Sequence, residues 1–284
     1  MMQSMTGFGK AETTFEDKKI TLEIRSLNSK NLDLNTRLPS FYKEMEAEFR
    51  KKIIGTLNRG KVDLALFYEA NASESASEIN IPVVQAYMEQ LASFDLEESE
   101  KLKIAIRLPD TLKAERESIS TTEKKAVLSL ADEVLQKITN FRQQEGESLQ
   151  QDILERITKI GQFLETVKTV ESQRIKKVRE RLQNSLDELE VKVDENRFEQ
   201  ELIYYLEKFD ITEEKVRLEN HLSYFKEIAN TGHAQGKKLG FVAQEIGREI
   251  NTIGSKANDA ALQKIVVQMK DELEKIKEQL LNVL

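Results

Sequence analysis

Gln244-Glu245-Ile246-Gly247-Arg248-Glu249-Ile250-Asn251-Thr252-Ile253-Gly254-Ser255-Lys256-Ala257-Asn258-Asp259, wound as a helix, sorts into three faces. Val242, Ile246, Ile250, Ile253 and Ala257 recur at i+3/i+4 and form an apolar stripe. Gly240, Gly247, Gly254 and Ala261 recur every seventh residue and leave a groove almost without side chains. Glu245, Glu249, Thr252, Lys256 and Asp259 form a polar stripe, with Gln244, Arg248, Asn251 and Ser255 beside it. Glycine costs a helix interior ~1 kcal/mol relative to alanine, so glycines in register imply close approach, by a second helix or by a ligand backbone. The polar stripe also has two readings. It is a solvated face, or two carboxylates one turn apart share a hard divalent cation whose oxygen shell an Asn or Asp completes.

Working outward, the C-terminal third reads as all helix. Phe198, Leu202, Tyr205, Leu206 and Phe209 carry one helix. Thr212-Glu213-Glu214 opens the next, whose acids suit the helix dipole. The last runs from Leu262 to Leu284 on Ile265, Met269, Leu273, Ile276 and Leu280. His221 lies on the second of these helices and reads either as a packed group or as a ligand; His233 lies in a loop over 230–235. The two histidines are too far apart for a zinc pair on one helix.

Upstream, Glu123 to Glu190 lacks proline, and Leu149, Ile153, Ile157, Ile160, Leu164 and Val167 hold to helical spacing. So long a stripe needs a partner, within the chain or in another subunit, and it predicts a closed homo-oligomer. Gly146 and Gly161 are candidate bends. The basic run from Arg174 to Arg181 reads as a solvated face. The N-terminal part alternates as strands do over Ile20–Leu27 and Val62–Tyr68, with a helix from Ser40 to about Gly55 between them. Gly7 and Gly9 around Phe8 suggest a strand whose backbone is irregular or closely approached. Residues 71–80 read as an exposed connection, Pro82 opens a helix, and 95–122 reads as a polar, irregular loop. The fold class is therefore α+β: a small N-terminal sheet domain over 1–122, a helical connector over 123–198 and an all-helical domain over 199–284.

Composition narrows the function. Without cysteine there is neither a disulfide framework nor a thiolate metal site, which points to the cytoplasm. No run is long enough to span a bilayer, and the first residues lack a signal-peptide pattern. No P-loop, dinucleotide fingerprint or nucleophile elbow is present. A net charge of −7 disfavours nucleic acid unless the cations are gathered locally. Arg50, Lys51, Lys52, Arg59 and Lys61 occupy a stretch free of acids, just downstream of Arg25, Lys30 and Arg37, and make the candidate groove.

The segment Gln244-Glu245-x-x-Arg248-Glu249-x-Asn251-Thr252-x-x-Ser255-Lys256 resembles the YicC/YloC family of bacterial endoribonucleases. So do Ser4-Met5-Thr6-Gly7-Phe8-Gly9, Glu23-Ile24-Arg25-Ser26-Leu27-Asn28, Leu32-Asp33, Arg37-Leu38-Pro39, Arg59-Gly60-Lys61 and Arg142 with Glu145-Gly146 and Leu149. Where the family often carries a histidine after the asparagine, this chain has Ser29-Lys30-Asn31, so no catalytic histidine is carried to that position. The resemblance implies metal-dependent RNA cleavage by a soluble ring-shaped homo-oligomer, a hexamer. On it, Glu245, Glu249, Arg248 and His221 are expected to be catalytic, and Glu245, Glu249, Asp259 and Asp210 to hold Mn²⁺ or Mg²⁺, unless a break suggested by Gly254 and Asn258 makes Asp259 a helix N-cap. RNA contacts are expected from Arg25, Lys30, Arg37, Arg59, Lys61, Lys237, Lys238 and Lys256, with Arg25, Arg37, Arg59 and Lys61 sharing a groove with Arg248 and Lys256. A non-cleaving RNA clamp and a purely structural helical oligomer are the competing functions. Within cleavage, a metal-positioned water and attack by the RNA's own 2′-hydroxyl both stay open.

Overall fold

The computed structural model describes residues 2–70, 78–113, 119–188, 195–231 and 236–284. They form two compact units, Phe8–Arg25 with Leu32–Ile138, and Met1–Gly7 with Ser26–Asn31 and Thr139–Leu284.

The sheet unit holds β1 (Gly7–Phe15), β2 (Lys18–Leu27), β3 (Leu32–Arg37) and β4 (Gly60–Ala70), in the order β1-β2-β4-β3. β3 runs parallel to β4, with Leu32 opposite Gly60 and Arg37 opposite Ala65. A parallel pair needs a crossover, and here it is a 3-10 turn at Ser40–Met45 followed by α1 (Glu46–Thr56). Pro39 precedes the turn, with no side-chain cap bond, and Ser40 is its first residue. Strand alternation sends Ile20, Leu22, Ile24, Val62, Leu64 and Leu66 inward. They meet Phe49 and Ile53 of α1 and Val127, Leu130, Val134 and Ile138 of the long helix α4 (Thr121–Glu188). Each such buried side chain contributes roughly 1.5–3 kcal/mol. A Cβ on Gly9 would stand 2.6 Å from the Val134 carbonyl oxygen, so the closely approached strand is real.

Residues 95–122 depart from the expected loop. A short strand β5 (Glu78–Ile79) leads into α2 (Ile81–Leu91), α3 (Glu98–Ala105) and β6 (Leu112–Lys113), and β6 pairs with β5. The Thr111 hydroxyl donates to the Ile106 and Leu108 carbonyls and closes the C-terminal end of α3. Residues 71–77 of the expected connection lie outside the described residues.

The helical unit packs the rest of α4 with α6 (Thr212–Asn230), α7 (Gly236–Lys256) and α8 (Ala260–Leu280). α5 (Glu195–Lys208) precedes them. The stripe Ile153, Ile157, Ile160, Leu164 and Val167 is buried against these helices within the same chain. It therefore finds its partner internally, which removes the argument that it marks a subunit interface. Gly146 is a crossing point: a Cβ there would lie 2.2 Å from the Met2 carbonyl oxygen.

Candidate functional site

α7 buries the predicted apolar stripe of Val242, Ile246, Ile250, Ile253 and Ala257. Its glycines meet a helix, as the first of their two readings held. A Cβ at Gly254 would stand 3.0 Å from Val266 Cγ1 of α8, and one at Gly247 would stand 3.2 Å from Leu273 Cδ2. Gly240 has nothing within 4 Å and shares none of this role. The polar stripe is not an open face. Glu245, Thr252 and Lys256 are half-buried and Glu249 is 9% exposed, whereas Gln244, Arg248, Asn251 and Ser255 form the solvent side.

Two contacts tie this stripe to α6. Lys256 Nζ pairs with Glu214 Oε1 at 2.7 Å, and Lys238 Nζ lies 5.2 Å from the Tyr224 ring centroid. Between them stand His221 on α6 and Glu245 and Glu249 on α7. Glu245 Oε1 accepts from Arg248 Nη1 at 2.7 Å. The Arg248 side chain is 72% exposed, so this pair adds no more than ~1 kcal/mol and leaves the guanidinium accessible. Glu249 makes no hydrogen bond or ion pair among the described residues. Its carboxylate oxygens are not among the buried unpartnered atoms, so they still reach solvent from a largely covered residue.

Asp210 and Asp259 serve the helix ends. Asp259 Oδ1 accepts from the amides of Ala261 and Leu262 at 2.8 and 3.1 Å and caps α8. Asp210 Oδ1 accepts from the Thr212 hydroxyl at 2.7 Å and from its amide at 3.0 Å, at the start of α6. The Thr212 hydroxyl, ahead of its amide and of the charges on Lys215 and Lys256, holds the Asp210 carboxyl below its ordinary pKa, against a penalty from burial. Among the described residues no three His, Asp or Glu side chains converge to hold a metal ion. With Asp259 capping α8 and Asp210 bonded to Thr212, Glu245 and Glu249 are the two carboxylates of the expected set left on one helix face. That number suits a cation held by one or two carboxylates and completed by substrate phosphate, and does not make an all-protein cage.

In the sheet unit, Arg25 and Arg37 line one cleft of about 240 Å³ with Glu23, Asp63, Leu64, Ala65 and Phe67. Lys61 is exposed on β4, in step with Asp63, Ala65 and Phe67. Arg59 is half-buried just before β4. The acid-free stretch is not wholly free, because Arg50 pairs with Glu46 and Lys52 with Asp132. Lys30, Lys237, Lys238, Arg248 and Lys256 belong to the helical unit. Lys237 is exposed, Lys238 covers Tyr224, and Lys256 is held by Glu214. His233 lies outside the described residues.

Both halves of the chain match known families. Residues 2–151 match the N-terminal region of YicC-like endoribonucleases, and residues 164–284 match the YicC-like C-terminal region. The chain belongs to the YicC-like endoribonuclease family. It is 31% identical to the probable endoribonuclease YicC of Clostridioides difficile (strain 630), over 100% of both chains. It is 29% identical to the probable endoribonuclease YicC of Haemophilus influenzae (strain ATCC 51907 / DSM 11121 / KW20 / Rd), again over 100% of both.

Set on this YicC-like frame, two groups escaped the reading of the sequence. Glu214 is buried, and its Oε2 has no hydrogen-bond partner among the described residues. Only its place in a first helical turn was visible, which also fits a surface acid. Gln263 Nε2 donates to the carbonyls of Gly254 and Ala257 at 2.5 and 2.8 Å and ties the C-terminal end of α7 to α8. No local spacing announces that bond.

Proposed function

We propose that this chain is an endoribonuclease whose chemistry is centred on the Glu245–Glu249 turn of α7. The observation that carries it is Glu249, a carboxylate kept 9% exposed and without a partner among the described residues, beside the accessible guanidinium of Arg248. Membership in a family of endoribonucleases supplies the substrate class. Arg248 takes a phosphate oxygen of the scissile linkage. Glu245 orients Arg248, and Glu249 would help hold the cation that meets the negative charge developing on the phosphate. His221, between the two contacts that tie α6 to α7, is the candidate for moving a proton. Lys237 and Lys238 in the first turn of α7, with Lys30 of the same unit, extend the hold on RNA, while Lys256 is held by Glu214; Arg25, Arg37, Arg59 and Lys61 contact RNA from the sheet unit.

A divalent cation, Mg²⁺ or Mn²⁺, shared by Glu245 and Glu249 and completed by RNA phosphate oxygens, would supply charge neutralisation at the scissile phosphate. A homo-hexamer closing around RNA is the assembly we propose with it, on the family resemblance alone.

The test follows cleavage of a short labelled RNA against Mn²⁺ concentration for Glu245→Gln and Glu249→Gln, with particle size and RNA affinity measured alongside. We expect Glu249→Gln to lose at least 100-fold in rate, the scale of one electrostatic contact in a transition state, while size and affinity hold. Wild-type rates at every metal concentration in both variants remove these residues from the site. RNA binding without any cleavage by the wild type makes the protein a clamp.

A further inference from the structure

Strand alternation gives the four-stranded sheet a second face opposite its core. β1 directs Phe8, Lys10 and Glu12 there, β2 Lys19, Glu23, Arg25 and Leu27, β4 Lys61, Asp63 and Phe67, and β3 Asp33, Asn35 and Arg37. Three of these residues are out of place on a polar surface, Leu27 and two aromatic rings: Phe67 is 55% and Phe8 40% exposed. The Arg25 guanidinium lies 5.5 Å from the Phe8 ring centroid. Arg25, Phe67 and Arg37 line one cleft. Across the order β1-β2-β4-β3, ring and guanidinium therefore alternate as Phe8, Arg25, Phe67 and Arg37.

Of the acids named on this face, all but Asp33, which stands opposite Lys61 in the β3–β4 register, are already engaged. Asp63 Oδ1 accepts from Asn35 Nδ2 at 2.8 Å, Glu23 is shared between Lys10 and Arg25 at 3.4 Å each, and Glu12 holds Lys19 at 2.8 Å. Arg37 and Lys61 have no ion pair among the described residues. The surface thus offers flat apolar rings separated by positive charge. That chemistry suits a single-stranded nucleic acid, whose unpaired bases stack on aromatic rings while its phosphates meet cations. A duplex hides its base faces and can use only the cations. A second protein copy docked here would have to desolvate Arg37 and Lys61 without partners.

We propose that this sheet face is a stacking platform for single-stranded RNA, with bases on Phe8 and Phe67 and phosphates at Arg25, Arg37 and Lys61. The proposal rests on the ribonuclease reading and adds to it the strand state of the substrate. It gives Phe8 and Phe67 a binding role, with no part in the chemical step.

The chain contains no tryptophan, so Phe67→Trp introduces a single indole reporter. In the full-length protein, a single-stranded oligoribonucleotide should quench that fluorescence; a blunt duplex of equal length and inorganic polyphosphate should not. Phe67→Leu should weaken single-strand binding about 5- to 150-fold, the range for one lost base–aromatic stack, with unchanged salt dependence. Phe67→Trp should restore it, with thermal melting confirming that both variants fold. Wild-type affinity in Phe67→Leu, alongside normal RNA binding and cleavage by the wild type, overturns the platform and leaves the ribonuclease reading standing. Equal quenching by duplex overturns the single-strand assignment. A change in particle size in Phe67→Leu makes the face an interface between copies instead. Absence of RNA binding by the wild type overturns both readings.

Discussion

Asp259 and Glu249 stand ten residues apart and end in opposite circumstances. Asp259 finds two free amides at the start of α8 and caps them. Glu249 belongs to a largely covered part of α7 and meets no donor among the described residues. In the sequence both are carboxylates at helical spacing, so spacing alone could not divide them. Asn258-Asp259 before an apolar run is nevertheless a readable cap signal, and the burial of Glu249 was not readable, because it depends on what packs against α7. The two roles predict different responses. Asp259→Ala should lower stability by about 1 kcal/mol in urea unfolding, the usual cost of a lost cap. Asp259→Ser should recover most of that loss, since a hydroxyl also accepts from the first-turn amides. A metal ligand would gain nothing from that rescue, so failure of serine to restore stability counts against the cap.

α7 shows how element-level reading succeeds and where it stops. Its apolar stripe and glycine groove were both legible, because a helix repeats every 3.6 residues and the residues obey that period. Which glycines are needed was not legible, because that depends on a partner helix. Gly254 lies against Val266, a β-branched residue with one strongly preferred rotamer in a helix. A methyl group at 254 cannot push it aside cheaply, and overpacking costs about 1–3 kcal/mol. Gly240 has open space, so alanine there should gain the helix-propensity difference of up to ~1 kcal/mol. The expected order of urea midpoints is Gly240→Ala above wild type and Gly254→Ala below it; both above wild type would show that α7 and α8 do not need close contact at 254. The same logic explains the miss at α3. Of its eight residues only Ala105 is buried, while Leu102 and Ile104 are exposed, so no periodic stripe existed to be read.

Over the whole molecule, two inferences from bulk properties need different treatment. The long stripe of α4 suggested association, and burial within the chain answered it, because periodicity reports that a face is covered and not by what. The net charge of −7 remains, and it sets a condition on any RNA contact. A polyanion approaching an acidic protein gains nothing from the average field, so its affinity must come from cations that local acids do not neutralise. Arg50, Lys52 and Lys256 fail that condition, since Glu46, Asp132 and Glu214 hold them. Arg37 and Lys61 meet it among the described residues. Each cation that displaces a counterion from a single strand contributes about 0.7 to the slope of log affinity against log salt. Arg37→Gln combined with Lys61→Gln should therefore flatten that slope by about 1.4, twice the single-contact value, and weaken binding most at low salt. Arg50→Gln combined with Lys52→Gln should leave the slope nearly unchanged. Anisotropy titrations of one labelled RNA at several salt concentrations compare the two pairs directly. Equal flattening by both would mean that the ion pairs give way to RNA, so that pairing within the chain does not decide which cations bind phosphate.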